Sequence, residues 1–62
     1  MKREDLLFFE GKIVKIVLDT GFVLLGTMTQ VNDDNILFTT DQATSLIRID
    51  TIRQIVEKNN RW

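Results

Sequence analysis

Short apolar runs that break the two-residue alternation of a half-buried strand constrain this chain more than any other feature. Most of their residues are β-branched or aromatic, and turn-forming residues separate them. The runs are Ile13-Val14, Ile16-Val17-Leu18, Phe22-Val23-Leu24-Leu25, Ile36-Leu37-Phe38 and Leu46-Ile47. Because successive side chains of a strand point to opposite faces, such runs need apolar cover on both faces of a sheet.

The runs divide the chain into one helix followed by five strands. The helix is predicted over residues 3–10, because carboxylates occupy its first turn and Gly11 follows its last residue. The predicted strands are Ile13–Leu18, Phe22–Val31, Asn35–Thr39, Thr44–Ile49 and Ile52–Glu57. Gly21 suits a tight turn with a positive φ, whereas Gly26 lies inside the long second strand and predicts a bulge or sharp bend.

This order predicts an all-β fold, a small five-stranded, strongly bent antiparallel barrel with a short N-terminal α-helix. We expect one domain, with the helix and its cap in residues 1–11, the barrel in 12–57 and a polar tail in 58–62. A helix of eight residues cannot cover five strands, and a chain of 62 residues without cysteine has no disulfide to stabilise it. Homo-oligomerisation is therefore the expected source of the missing cover. Trp62 either covers a neighbour's apolar patch or contributes nothing to packing.

Composition excludes several classes of function. The chain has no cysteine and no histidine, so thiolate metal sites, the usual zinc ligands and histidine-based catalysis are not expected. No catalytic constellation is found, and we predict neither an enzyme, a cofactor nor a small-molecule substrate. Eight basic against nine acidic residues argue against a generally basic nucleic-acid binder. No apolar run approaches the roughly 20 residues of a membrane span, so a cytoplasmic protein is expected.

Three segments occur in a characteristic order. The first contains Gly11, Gly21 and Gly26 in an apolar alternation that runs to Val31. The second is Asn35-Ile36-Leu37, and the third runs from Leu46 through Arg48-Ile49-Asp50 to Ile55. In order and spacing, these segments resemble the two halves of the Sm signature of the Sm, LSm and Hfq proteins. The resemblance covers roughly residues 4–57.

The resemblance implies a bent barrel that assembles as a ring of six or seven subunits, in which strand four of one subunit pairs with strand five of the next. It also implies binding of single-stranded RNA, U-rich or A-rich, around the central pore. Asn35 occupies the position of the base-binding Asn, Arg48 that of the base-binding Arg, and Asp50 that of the following Asp. Asp33 stands at the position of the stacking aromatic or His, and Ile49 where the family has Gly.

Other interpretations of the same residues stay open. Arg48 and Asp50 are also suitable for a structural ion pair near a subunit seam, with no role in RNA binding. The whole domain is also suitable as an SH3-like structural or protein-interaction module. Lys2 and Arg3 are weaker candidates for RNA contact, since charged residues near a chain terminus are more often simply solvated.

Overall fold

The computed structural model describes residues 2–58, which form a short helix and one antiparallel sheet. The elements are α1 (Arg3–Leu7), β1 (Ile13–Leu18), β2 (Val23–Val31), β3 (Asn35–Thr39), β4 (Thr44–Arg48) and β5 (Ile52–Glu57), with a 3₁₀ turn at Ile49–Thr51. The strands are ordered β4-β3-β2-β1-β5. The predicted fold of five antiparallel strands after a short helix is confirmed. Apart from Lys58, the predicted tail and Trp62 lie outside the described residues.

The sheet wraps around one core but leaves two edges. Ile47 of β4 and Ile52 of β5, from opposite edges of the sheet, belong to the same buried cluster. The cluster comprises Leu6, Val14, Ile16, Met28, Val31, Ile36, Phe38, Ile47, Ile49 and Ile52. Within residues 2–58 no hydrogen-bonded ladder joins β4 to β5, so both strands are edge strands.

Helix α1 is three residues shorter than predicted. It ends at Leu7, and the chain continues in tighter turns in which the N–H groups of Phe9 and Glu10 donate to the carbonyls three residues back. Gly11 then reverses the chain with a φ of +83°, and its N–H donates to the carbonyl of Met28 at 2.6 Å. The predicted stop is therefore correct, whereas the helical geometry does not persist to it.

The tight turn between β1 and β2 is confirmed. Gly21 has a φ of +91°, in the region that favours glycine. Its N–H donates to the carbonyl of Leu18 at 2.9 Å, and the N–H of Leu18 donates to the carbonyl of Phe22 at 2.8 Å. These two bonds close the hairpin and align the first two strands.

Gly26 was predicted to mark a bulge or a sharp bend. The bulge lies elsewhere, and Gly26 is required by a close approach between strands. Gly26 pairs regularly with Val14, and the register shift of β2 occurs between Met28 and Gln30. A Cβ atom at Gly26 would lie 2.5 Å from the carbonyl oxygen of Thr39. Residues 23–27 of β2 pair with β1 and residues 27–31 pair with β3, so the strand changes partner just after this glycine.

The outer face of the sheet keeps much of its apolar surface. Ile13, Val23, Leu25 and Leu46 point away from the core, and each exposes more than half of its side-chain surface. The apolar runs in the sequence predict that this outer face, like the core face, is covered by other apolar groups. Among the described residues, no helix is long and apolar enough to cross a lipid bilayer.

Candidate functional site

The pairing of β3 with β4 brings two of the predicted RNA-binding residues opposite each other. Asn35, at the start of β3, is the cross-strand partner of Arg48, at the end of β4. The next pair, Ile36 and Ile47, is buried in the core. Because side chains alternate along a strand, Asn35 and Arg48 project from the opposite, outer face of the sheet.

A small depression lies beside this pair, where helix α1, the β2–β3 connection and the turn after β4 meet. We call it the charged cleft; its lining residues are Arg3, Asp33, Asp34, Arg48, Ile49 and Asp50. Its volume is about 220 Å³, below the range of pockets that hold drug-sized ligands. The backbone N–H of Ile49 donates to the carbonyl of Asp34 at 2.9 Å, which joins two of the three segments.

Arg48 and Asp50 form a bidentate ion pair at this cleft. Arg48 Nε donates to Asp50 Oδ1 at 3.1 Å, and Arg48 Nη2 donates to Asp50 Oδ2 at 2.9 Å. The hydrogen bonds from Arg48 hold the pKa of the Asp50 carboxyl below its usual range, and the same bonds raise the pKa of Arg48. Both side chains are mostly exposed, so the pair fixes the guanidinium plane more than it stabilises the fold.

Ile49 explains how Arg48 and Asp50 come to share one side of the turn. It begins the 3₁₀ turn, and its side chain is buried in the core. No residue other than glycine has a positive φ in residues 2–58, so this turn does not use the backbone freedom of a glycine. The apolar side chain anchors the turn from beneath, and the two charged side chains are left at the surface.

Asn35 is held beside the charged cleft and does not line it. Its Oδ1 accepts a hydrogen bond from Asn32 Nδ2 at 2.8 Å, and Asn32 Oδ1 accepts one from Gln30 Nε2 at 2.8 Å. These two hydrogen bonds fix the orientation of the Asn35 carboxamide, and its oxygen already accepts one of them. The structure therefore brings Arg48, Asp50 and Asp33 together in one cleft and places Asn35 next to them across the β3–β4 ladder.

Two further residues line the cleft: Asp34, which was not predicted as a site residue, and Arg3, which was only a weaker candidate for RNA contact. Arg3 reaches the cleft from the first residue of α1, and its Nε lies 3.7 Å from Asp33 Oδ1. Its position next to Lys2 marks a basic helix start in the sequence. Only the fold reveals that this helix start lies against the β2–β3 connection.

A second depression, larger and of different chemistry, lies where the sheet bends. We call it the apolar groove; it has a volume of about 610 Å³, and its lining includes Ile13, Leu25, Gly26 and Thr39. Lys58 lies at its rim, and its backbone N–H donates to the carbonyl of Ile13 at 2.8 Å. The groove contains one aspartate, Asp41, among mostly apolar and threonine side chains.

Comparisons with known proteins and a search for metal-binding clusters add no assignment to either depression. No protein-family model and no curated protein sequence matches the chain. Within residues 2–58, no group of three or more histidine, cysteine, aspartate or glutamate side chains is arranged to hold a metal ion.

Proposed function

We propose that this chain is a cytoplasmic Sm-like protein that assembles as a homo-oligomeric ring of six or seven subunits and binds single-stranded RNA, U-rich or A-rich, at the charged cleft. One observation carries the proposal. Asp33, from the β2–β3 connection, lines the same cleft as Arg48 and Asp50, from the end of β4 and the turn after it. Asn35 adjoins them, because it pairs with Arg48 across the ladder.

The chemistry of these groups is suitable for a base. A guanidinium group is planar, stacks on the face of a nucleobase and donates to its edge, and Asp50 holds the guanidinium of Arg48 in one orientation. The carboxamide of Asn35, whose oxygen already accepts from Asn32, presents its N–H groups to a base edge as donors. Single-stranded RNA is recognised through such stacking and edge contacts, because its bases are accessible.

Assembly into a ring is supported by the two open edges of the sheet. An exposed edge strand with apolar side chains readily pairs with another chain, and β4 carries Leu46, a residue that is 66% exposed. Pairing of β4 with β5 of the next copy, repeated around a closed ring, satisfies both edges at once. Each subunit then contributes one cleft. One RNA chain can contact several clefts, so a weak contact at each cleft adds to the overall affinity.

A protein-interaction module without RNA binding is the competing proposal, and the apolar groove favours it. The groove and the outer face offer apolar area, whereas the Arg48–Asp50 pair already satisfies both of its charged groups. In this alternative the ion pair only shapes the turn after β4.

The test is binding of short labelled oligo-U and oligo-A to wild-type protein and to variants by fluorescence anisotropy. We expect Arg48→Ala to weaken binding at least tenfold, because a stacking and donating group is lost at every subunit. Arg48→Lys keeps the charge without the planar fork and should recover little of the affinity. Arg53→Ala, which removes a cation from an exposed position on β5, is the matched control and should bind as wild type.

Solution mass and melting temperature of the same variants separate the outcomes. Arg48→Ala should leave both nearly unchanged. If the variant instead loses the mass of the assembly, Arg48 is a seam residue and its RNA-binding role is wrong. If the wild type binds no oligonucleotide at low salt, the interaction module is the better proposal.

A further inference from the structure

The apolar groove crosses the sheet from the end of β5 to the end of β3. The N–H of Lys58, which follows β5, donates to the carbonyl of Ile13 on β1. Ile13 pairs with Thr27 of β2, and Thr27 pairs with Thr39 of β3. These four residues line the groove, and the exposed side chains of Ile13 and Leu25 are its apolar walls.

The described part of the chain ends at one rim of this groove. Lys58 is the last described residue, and it lines the groove. Four residues follow it in the sequence: Asn59, Asn60, Arg61 and Trp62. Four extended residues span at most about 13–14 Å, and the three strand spacings from β5 to β3 add up to about 14 Å. The 59–62 segment is therefore long enough to cross the groove from rim to rim.

The chemistry of the segment matches that of the groove. Trp62 is its one apolar side chain, and a tryptophan has a large apolar surface to bury against Ile13 and Leu25. Arg61 carries a positive charge, and Asp41 lies at the far end of the groove. Within residues 2–58, Asp41 forms no ion pair. The segment thus supplies an apolar group and a cation where the groove has apolar walls and an anion.

The direct connection at Lys58 favours this segment over other occupants. A short covalent tether holds a binding group at an effective concentration in the millimolar range. A peptide or a second copy that arrives from solution must compete with that concentration. The segment that begins at the rim therefore has the advantage over a free partner of similar composition.

We propose that residues 59–62 occupy the apolar groove of their own subunit, with Trp62 packed against Ile13 and Leu25 and Arg61 paired with Asp41. The docked segment covers part of the apolar outer face that the five strands leave open. This inference does not depend on RNA binding, because the charged cleft shares no lining residue with the groove.

Tryptophan fluorescence tests the docking. The chain has one tryptophan and no tyrosine, so its tryptophan emission reports Trp62 alone. We expect the folded wild type to emit at shorter wavelength than the denatured chain and to be quenched less by acrylamide. Leu25→Ser should remove both differences. Val23→Ser changes an exposed residue on the same face of β2 that does not line the groove, and it is the matched control, expected to emit as wild type.

Two results overturn the docking. One is a folded wild type that emits and is quenched like the denatured chain. The other is an equal effect of Leu25→Ser and Val23→Ser, since Trp62 then does not depend on the groove.

The ion pair has its own variant. Asp41→Asn should increase acrylamide quenching at low salt, and its difference from wild type should disappear at high salt, where the charges are screened. Asp19→Asn removes the same charge outside the groove and should be quenched as wild type. Equal quenching of Asp41→Asn and wild type at low salt overturns the pairing of Arg61 with Asp41.

A mixture of two variants shows whose segment occupies the groove. Trp62→Ala keeps the groove and lacks the indole, whereas Leu25→Ser keeps the indole and has a damaged groove. When the two are refolded together, the emission should remain that of Leu25→Ser alone. Recovery of the short-wavelength emission means that Trp62 docks on a neighbouring copy, and it overturns docking within one subunit.

A direct measurement on the wild type covers the case in which Leu25→Ser folds poorly. Nuclear Overhauser effects should connect the indole protons of Trp62 with the methyl groups of Ile13 and Leu25. Their absence in the folded protein overturns the proposal.

Discussion

The charged cleft and the apolar groove differ in how each is built. The groove has nearly three times the volume, and it exists because β2 approaches β3 closely at Gly26. The cleft forms where three short segments meet, and its charged side chains are largely at the surface. A change in the groove therefore acts on the backbone of the sheet, whereas a change in the cleft acts on the groups presented to a ligand.

Adding a single carbon at the floor of the groove should have the largest effect on stability. In Gly26→Ala the new Cβ meets the Thr39 carbonyl oxygen at 2.5 Å and the ring of Phe38 at 3.0 Å, and the backbone oxygen belongs to a paired strand. We expect a loss of about 2–3 kcal/mol in the free energy of unfolding, measured by chemical denaturation. Gly21→Ala has open space around its Cβ and only an unfavourable φ, so it should cost about 1 kcal/mol. Equal losses would contradict the close-approach explanation.

A charge on the exposed edge strand β4 tests whether one cleft is enough for RNA binding or whether several subunits must contribute their clefts. Leu46 is exposed and lies outside the cleft, so Leu46→Asp should leave the folded chain intact, reduce the solution mass toward the 7.2 kDa monomer and weaken RNA binding. Ile47→Asp is a poorer test, because Ile47 is buried and its loss disrupts the core directly.

Val23→Asp adds the same charge at an exposed apolar position of the central strand β2 and is the control for Leu46→Asp. Sedimentation and circular dichroism of both variants give the outcome. A Leu46→Asp protein that keeps the wild-type mass argues against edge pairing through β4.

The smallest effect is expected from pH. The pKa of Asp50 is lowered in the folded chain, so its ion pair adds stability at pH values above the usual aspartate pKa. That contribution is lost only as the pH falls through the lowered pKa. The chain has no histidine, the side chain whose unperturbed pKa lies between about pH 5 and 8. Oligonucleotide affinity at constant salt should vary less than about twofold over that range, and a steep change would point to a titrating group outside the cleft.

Local chemistry accounts for what the sequence predicted well. The turn at Gly21 and the five strands follow from short-range signals that each segment carries by itself. The end of α1 was harder to locate. The residues after Leu7 form tighter turns, and helix propensity does not distinguish such turns from a continued α-helix. Of the two alternatives predicted for Gly26, a bulge or a sharp bend, the bulge lies between Met28 and Gln30 instead. The sequence did not distinguish it from a close approach by Thr39, because both favour glycine.

The charged cleft was only partly predictable, because its assembly depends on distant segments. Arg48 and Asp50 are two residues apart and their pairing follows from the sequence. Arg3 lies 45 positions before Arg48, and it lines the same cleft only because α1 lies against the β2–β3 connection. The bond between Asn32 and Asn35 depends equally on the turn that joins β2 to β3.

Ile49 is a buried and therefore constrained position that lies between two exposed positions, Arg48 and Asp50, which can vary. Its side chain is part of the core, while the residues on either side form the charged pair at the cleft. A surface exchange at Arg48 or Asp50 alters the charges presented at the cleft without disturbing the interior, whereas an exchange at Ile49 changes the interior and the geometry of the pair together. Single substitutions at the two charged positions can therefore change the chemistry of this surface, provided that the buried residue between them keeps its shape.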